Sequence, residues 1–430
     1  MSKKNWLALI VAVCFATAGG TRYFLQITND KKAVEAVLIE AMEEASPIGN
    51  AAYWQLPTDF DDIPQDPENP LTEAKAKLGE KLFFEPTLST HNVGCNACHH
   101  PDAGFYAGVA QSVGFGGVGE GLERFIDKDA EHIDAPPIKS PTALNVAYRP
   151  NSLHSNKLGS GKVVFPVGGE DVELMASVQS MNQQTDSLWA QGSPLIKNHL
   201  RLAGAETQVF GAIGAHELDN LDSFLADPEK RAEYLPLFAA AFPEMSPAEY
   251  STDVTIAKAI AAFERTLITT NNRFQRYLRG EGSLTLSELK GAVLAFTECA
   301  GCHNLPSFAG TGIYAMGHGH MWLRPDFFGD VPELPKGMND RFSFTGNADD
   351  MCKYPPMQWY SVTKGNFYGH GSTYDYLPDF IRDHTSGVMQ DSFLAEFADS
   401  NGFELDTLNL GLSDVEIEQL TDFILSLEED

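Results

Sequence analysis

Two five-residue stretches constrain this chain more than anything else in it. Residues 95–99 read Cys-Asn-Ala-Cys-His, and residues 299–303 read Cys-Ala-Gly-Cys-His. The C-x-x-C-H pattern is the attachment signature of a c-type haem. The chemistry sets its spacing. Two thiols one helical turn apart meet the two vinyl groups of one porphyrin edge, and the adjacent histidine then reaches the iron through an imidazole nitrogen. A thioredoxin-like dithiol would need a βαβ context, and a zinc site would need further Cys and His pairs close by. The expected cofactors are therefore two covalently bound haem c groups. Cys95, Cys98 and His99 would hold one; Cys299, Cys302 and His303 would hold the other. The motifs stand 204 positions apart, which places them in separate lobes with one haem each.

The 430 residues suffice for two or three domains, and 43% of them are apolar, so the chain is globular rather than disordered. Its formal net charge of −29 would repel nucleic acid and anionic membrane surfaces. The same charge suits the steering of a basic redox partner. Lys3 and Lys4, the apolar run Trp6 to Ala16, and Ala16-Thr17-Ala18 read as an export signal over residues 1–18. An uncleaved anchor is the alternative, although the run is short for a bilayer. Covalent haem c is assembled outside the cytoplasmic membrane, so a periplasmic address is expected. Cys14 would leave with the signal, and Cys352 reads as a small buried hydrophobe.

Residues 19–70 read as an acidic, proline-rich N-terminal segment, 71–270 as an N-terminal haem domain and 271–430 as a C-terminal one. A helix is predicted from Leu71 to Phe84. Residues 101–170 are rich in glycine and read as loops over the first haem. Ser246 to Glu249 form a capping box before a long apolar helix through Leu267. Thr285 to Glu288 open the helix that leads into Cys299, and Ser413 to Glu416 open a last helix. With no strong alternating strands, the predicted fold is mainly α: two cytochrome c-like haem domains with long loops and little β structure.

The residues around both motifs resemble the bacterial di-haem cytochrome c peroxidase and MauG superfamily. Leu78-Gly79, Leu82-Phe83-Phe84, Pro86 and Leu88-Ser89 match its first helix and turn. Ser140-Pro141-Thr142 with Leu144-Asn145 matches a second stretch, and Ala262 to Leu267 with Phe274 and Arg276 to Leu278 matches the linker before the second haem. Asp340-Arg341, Thr345-Gly346 and Phe367 to Gly371 look like the segment closing the second pocket. The resemblance covers roughly residues 71–428. It implies that the haem on His303 is a six-coordinate electron relay and that the haem on His99 reacts with hydrogen peroxide. It also implies a small electron-donor cytochrome c or cupredoxin and permits a homodimer. His384 stands where the family has the relay haem's sixth ligand, with Met389 as the alternative.

Three departures from the pattern matter. The loop Pro101 to Leu122 has no histidine to block the first iron, which resembles MauG, with His132 or His154 as other candidates to fill the site. The family's acid/base glutamate follows a Trp-Asp-Gly-Arg stretch, which reads His154-Ser155-Asn156-Lys157 here; Glu173 is the candidate, with Glu170 beside it. Lys139 stands at an asparagine of the family's calcium site, and its ammonium argues against calcium. His154 also occupies the place of the family's bridging tryptophan. Trp359 reads as a core tryptophan near the second pocket, with an electron relay as the other reading. Gly317-His318-Gly319-His320 reads as an exposed loop rather than a metal site. The leading expectation is a peroxidase. A MauG-like oxidase of a protein or organic substrate and a non-catalytic electron carrier are the alternatives.

Overall fold

The computed structural model describes residues 18–152, 158–179, 209, 220–321, 340–387 and 398–429, apart from 128, 132, 160, 251, 401, 403 and 407. Cys14, His132, His154 and Met389 lie outside the described residues. The structure is mainly helical, with three two-stranded antiparallel sheets among the described residues.

The first lobe is built on the Glu73–Phe83, Pro228–Ala241 and Asp253–Thr266 helices. Each start is set by a side chain that accepts orphan N–H groups. Thr72 accepts from the Lys75 amide, Asp227 caps a helix with Pro228 in its first turn, and Thr252 and Thr255 cap each other reciprocally. The Ser246–Glu249 box also forms, but it closes only the short Pro247–Glu249 turn; the long helix starts later, from Thr252. Leu78, Leu82, Phe83, Ile256 and Ile260 bury completely where the first and third helices cross. The crossing is close because residue 79 is glycine. A Cβ there would overlap the Ala259 carbonyl oxygen.

The second lobe repeats the device. The Leu286–Leu294 and Asp414–Leu425 helices are opened by the Thr285/Glu288 and Ser413/Glu416 capping boxes. They cross at Gly291, whose Cβ would overlap the Gln419 carbonyl oxygen. The segment read as acidic and proline-rich contains a helix, Lys31–Ala45, whose Val34, Val37, Leu38, Ala41 and Met42 are buried in this lobe's core. Residues 18–27 are helical too, and Arg22 pairs with Glu416 at 2.8 Å.

One element departs from the expectation of loops over 101–170. Lys162–Val167 and Glu170–Met175 form an antiparallel hairpin, with Phe165 opposite Val172. Val163, Phe165 and Val167 face inward and join the second lobe's core against Tyr53 and Tyr148. The alternation was partly hidden because the outward positions include Val164 and Pro166. Among the described residues no helix is long and apolar enough to cross a membrane.

Candidate functional site

Both C-x-x-C-H stretches fold into the same turn. The Cys98 and His99 amides donate to the Cys95 carbonyl at 3.2 and 3.0 Å, and the Cys302 and His303 amides donate to the Cys299 carbonyl at 3.1 and 2.9 Å. The second turn grows from the lobe's central helix through a one-turn π segment, Ala295–Cys299. Such a register change re-aims the residues that follow it. All six motif residues are half-buried. Cys95, Cys98 and Cys299 sit at about 12, raised first by burial, so their thiols are protonated at neutral pH.

The aim of each histidine is set by backbone. His99 Nδ1 lies 3.1 Å from the Phe105 carbonyl oxygen, and His303 Nδ1 lies 2.6 Å from that of Phe308. A carbonyl only accepts, so each Nδ1 carries the proton and the lone pair falls on Nε2, the tautomer an iron ligand needs. Both phenylalanines hold left-handed backbone, φ 58° and 57°. That conformation costs a side-chain-bearing residue on the order of 1–3 kcal/mol and persists only where packing enforces it. Here packing does. The Phe105 ring meets Phe83 and Phe263, and the Phe308 ring stacks on Trp54 and Trp359. The two sites therefore share a turn, an acceptor and a strained residue, and both fit the covalent haem that the motif implies.

Around His303 the structure gathers further rings. Trp359 packs on it at 4.7 Å between centroids, so this tryptophan lies against the motif itself. His384, in the last turn of the Leu377–Ser386 helix, accompanies His318, with Nδ1 to Nε2 2.8 Å apart and the rings stacked at 5.0 Å. Burial, then the charges of His318 and His303, hold His384 well below the usual imidazole range. Burial puts His303 and His318 at about 4. All three rings are neutral at pH 7, the state in which an imidazole can ligate.

The expectation of an exposed Gly317–His320 loop is corrected. His318 packs between His384 and Phe380, while His320 is buried and sits 2.9 Å from His370. Tertiary packing covers the loop, and four residues with two glycines carry no signal of that. Cys352 is buried as expected. Among the described residues no group of three or more His, Cys, Asp or Glu is arranged to hold a metal ion.

Around His99 the structure is plainer. His100 turns toward Asp102, accepting its amide at 3.3 Å, and His91 stacks on Phe115. Glu173 lies on the outer face of the hairpin, half exposed, in an ion pair with Lys162 at 3.2 Å, and Glu170 is exposed at the hairpin turn. Neither carboxylate is brought to the first motif by any contact described.

Lys139 joins the lobes. Its Nζ donates to the Phe367 carbonyl oxygen and lies 4.6 Å from the Tyr106 ring centre, while its amide donates to the His370 carbonyl at 2.8 Å. Burial lowers it from 10.5 to about 7. A buried lysine depressed in this way lowers stability while it is charged, below pH 7, and that cost fades as pH rises toward the unfolded value. Lys139→Met should therefore gain most over the parent below pH 7. The advantage should shrink by about 3–4 kcal/mol on going from pH 7 to 10. Denaturation of both proteins at pH 6 and pH 9.5 checks this; a difference independent of pH contradicts it.

A model of the di-haem cytochrome c peroxidase family matches residues 73–283. The chain belongs to the di-haem cytochrome c peroxidase and MauG superfamily. The superfamily member described here is 25% identical over 285 residues to the cytochrome c551 peroxidase of Pseudomonas aeruginosa, a match covering 65% of this chain and 63% of that one. It is 26% identical over 261 residues to the methylamine utilization protein MauG of Methylorubrum extorquens, covering 59% and 56%. These matches thus span about three fifths of each relative's length. Among solved structures, a MauG-like protein associated with microbial copper homeostasis superposes with a TM-score of 0.54 at 21% identity, over 88% of this chain and 95% of that one. That likeness shows the fold. The family is a di-haem one, in keeping with the two motif turns.

Proposed function

We propose that this protein is a periplasmic di-haem c-type peroxidase that reduces hydrogen peroxide with electrons from a small redox protein, a cytochrome c or a cupredoxin. The observation that carries the reading is the duplication within one chain of the motif turn with its carbonyl-aimed histidine. The names of the similar proteins point the same way. The haems would supply the redox chemistry. The chain's residues would do the rest: the paired cysteines anchor each porphyrin, His99 and His303 present Nε2, and the Phe105 and Phe308 carbonyls hold the Nδ1 protons. His384 would complete the relay site, its Nδ1 held by His318. The charge of −29 favours a basic donor. Lys139 would place its side chain between the lobes where the family has calcium, charged mainly below pH 7. The exposure of Glu173 and its pairing with Lys162 weigh against it as the proton carrier.

One observation favours a MauG-like oxidase instead. The 101–122 loop has no imidazole and His100 faces Asp102, which suits a first site always ready for peroxide.

Stopped-flow absorption and electron paramagnetic resonance of the ferric protein with one equivalent of peroxide test both readings. A high-spin signal consumed on mixing supports a reactive first site. Turnover with a reduced small cytochrome then marks the peroxidase, and turnover only with an organic or protein substrate marks the oxidase. Two low-spin haems that ignore peroxide would leave an electron carrier.

A further inference from the structure

We propose that Tyr106, Gln358 and Trp359 form the electron bridge between the two motif histidines. This rests on the di-haem reading above and adds a route to it. From His99, the Nδ1 proton is bonded to the Phe105 carbonyl. The next residue is Tyr106, fully enclosed between the lobes, its hydroxyl 3.4 Å from Gln358 Nε2. Gln358 is itself buried, and its side chain is fixed from two sides. Asn145 Nδ2 donates to its Oε1 at 3.3 Å, and its own Nε2 donates to the Tyr360 carbonyl at 2.6 Å. Its chain neighbour Trp359 reaches His303, the indole packing on the imidazole at 4.7 Å between ring centres.

The route from one imidazole to the other is therefore covalent except for two hydrogen bonds and one ring contact. Electron coupling through bonded atoms and close contacts far exceeds coupling across open space. Two of the side chains are aromatic, and Trp359 is held parallel to Phe308 within 5°. With both haems bound, the bridge would carry one electron from the His303 side to the His99 side, the donor haem being oxidised and the acceptor haem reduced. Protons need not leave the bridge, because burial raises the Tyr106 hydroxyl well above its ordinary range. Tyr106 and Trp359 act here as positioning and coupling residues.

The test uses the full chain carrying both haems, verified by haem content and circular dichroism. A photoexcited ruthenium complex with a sacrificial amine donor injects one electron, and absorbance follows its redistribution between the haems. No peroxide is added, so the readout is independent of turnover. Tyr106→Phe keeps the ring and removes the hydroxyl. Trp359→Leu removes the ring against His303. We expect redistribution to slow at least tenfold in Trp359→Leu and severalfold in Tyr106→Phe, with both spectra unchanged. If Trp359→Leu fails to take up haem, Tyr106→Phe carries the test. Parent protein that shares the electron, with both variants equally fast, overturns the bridge alone. Parent protein whose two haems share no electron overturns the bridge and the peroxidase reading together.

Discussion

Replacing Gly79 by alanine should cost this protein about 3 kcal/mol or more and lower its melting temperature by roughly 6–12 °C. An added methyl in a core usually costs about 1–3 kcal/mol, because flexible side chains give way. Gly79 offers no such relief. Its Cβ would overlap the Ala259 carbonyl oxygen and also crowd the Ile260 amide. Both belong to a helix whose own hydrogen bonds fix that backbone. The two helices would have to separate along the crossing that buries Leu78, Leu82 and Ile260. Gly282→Ala is the matching control, since its Cβ would meet only the Arg276 side chain at 3.8 Å. Equal melting temperatures for the two variants would contradict the close-approach argument.

Serine at both Cys95 and Cys98 should leave a chain with one covalent haem instead of two, and peroxide reactivity should fall by more than ~100-fold. The reasoning starts from the shared geometry of the motif turns. The second turn shares no side chain with the first, and each has its own left-handed phenylalanine and its own carbonyl acceptor. The second haem should therefore still attach. Loss of a single outer partner of a metal ligand costs roughly 10–100-fold in affinity or activity. Loss of the whole attachment at the reactive site should exceed that. The converse pair, Cys299→Ser with Cys302→Ser, should keep the first reaction with peroxide and abolish turnover with an external donor. Haem content per chain and stopped-flow absorption check both. A first pair that loses its haem yet reacts at the parent rate would reverse the assignment of the two sites.

The sequence made the motifs, the helix caps and the mainly α fold legible, because each depends on neighbours within a few residues. Thr285 with Glu288 and Ser413 with Glu416 are local chemistry and form as read. The Lys31–Ala45 helix carries an equally local signal at residues 34, 37, 38, 41 and 42, but its six charges and the prolines that follow it outweigh that signal in the composition of the segment. His318 and His320 were illegible for a different reason. Their burial comes from residues 354, 370, 380 and 384, and nothing in a Gly-His-Gly-His string encodes partners that far along the chain. The hairpin fell between these cases, since Val164 masked its alternation. The place of Trp359 against His303 likewise needed three dimensions.

The second lobe takes residues 31–45, 286–294 and 414–425 into one core, while the first lobe's helix pair lies between the first two of these stretches. That arrangement imposes an order on assembly. A chain made from its N-terminus completes the first lobe's helix crossing once residue 266 is available. The second lobe must hold an amphipathic helix, residues 31–45, without its main partner until residues 286–299 follow. Contacts of such sequence separation close slowly, and exposed apolar surface in the interval invites aggregation. The many acids on that helix then serve a purpose beyond the native state: they keep a waiting segment in solution until its partners arrive.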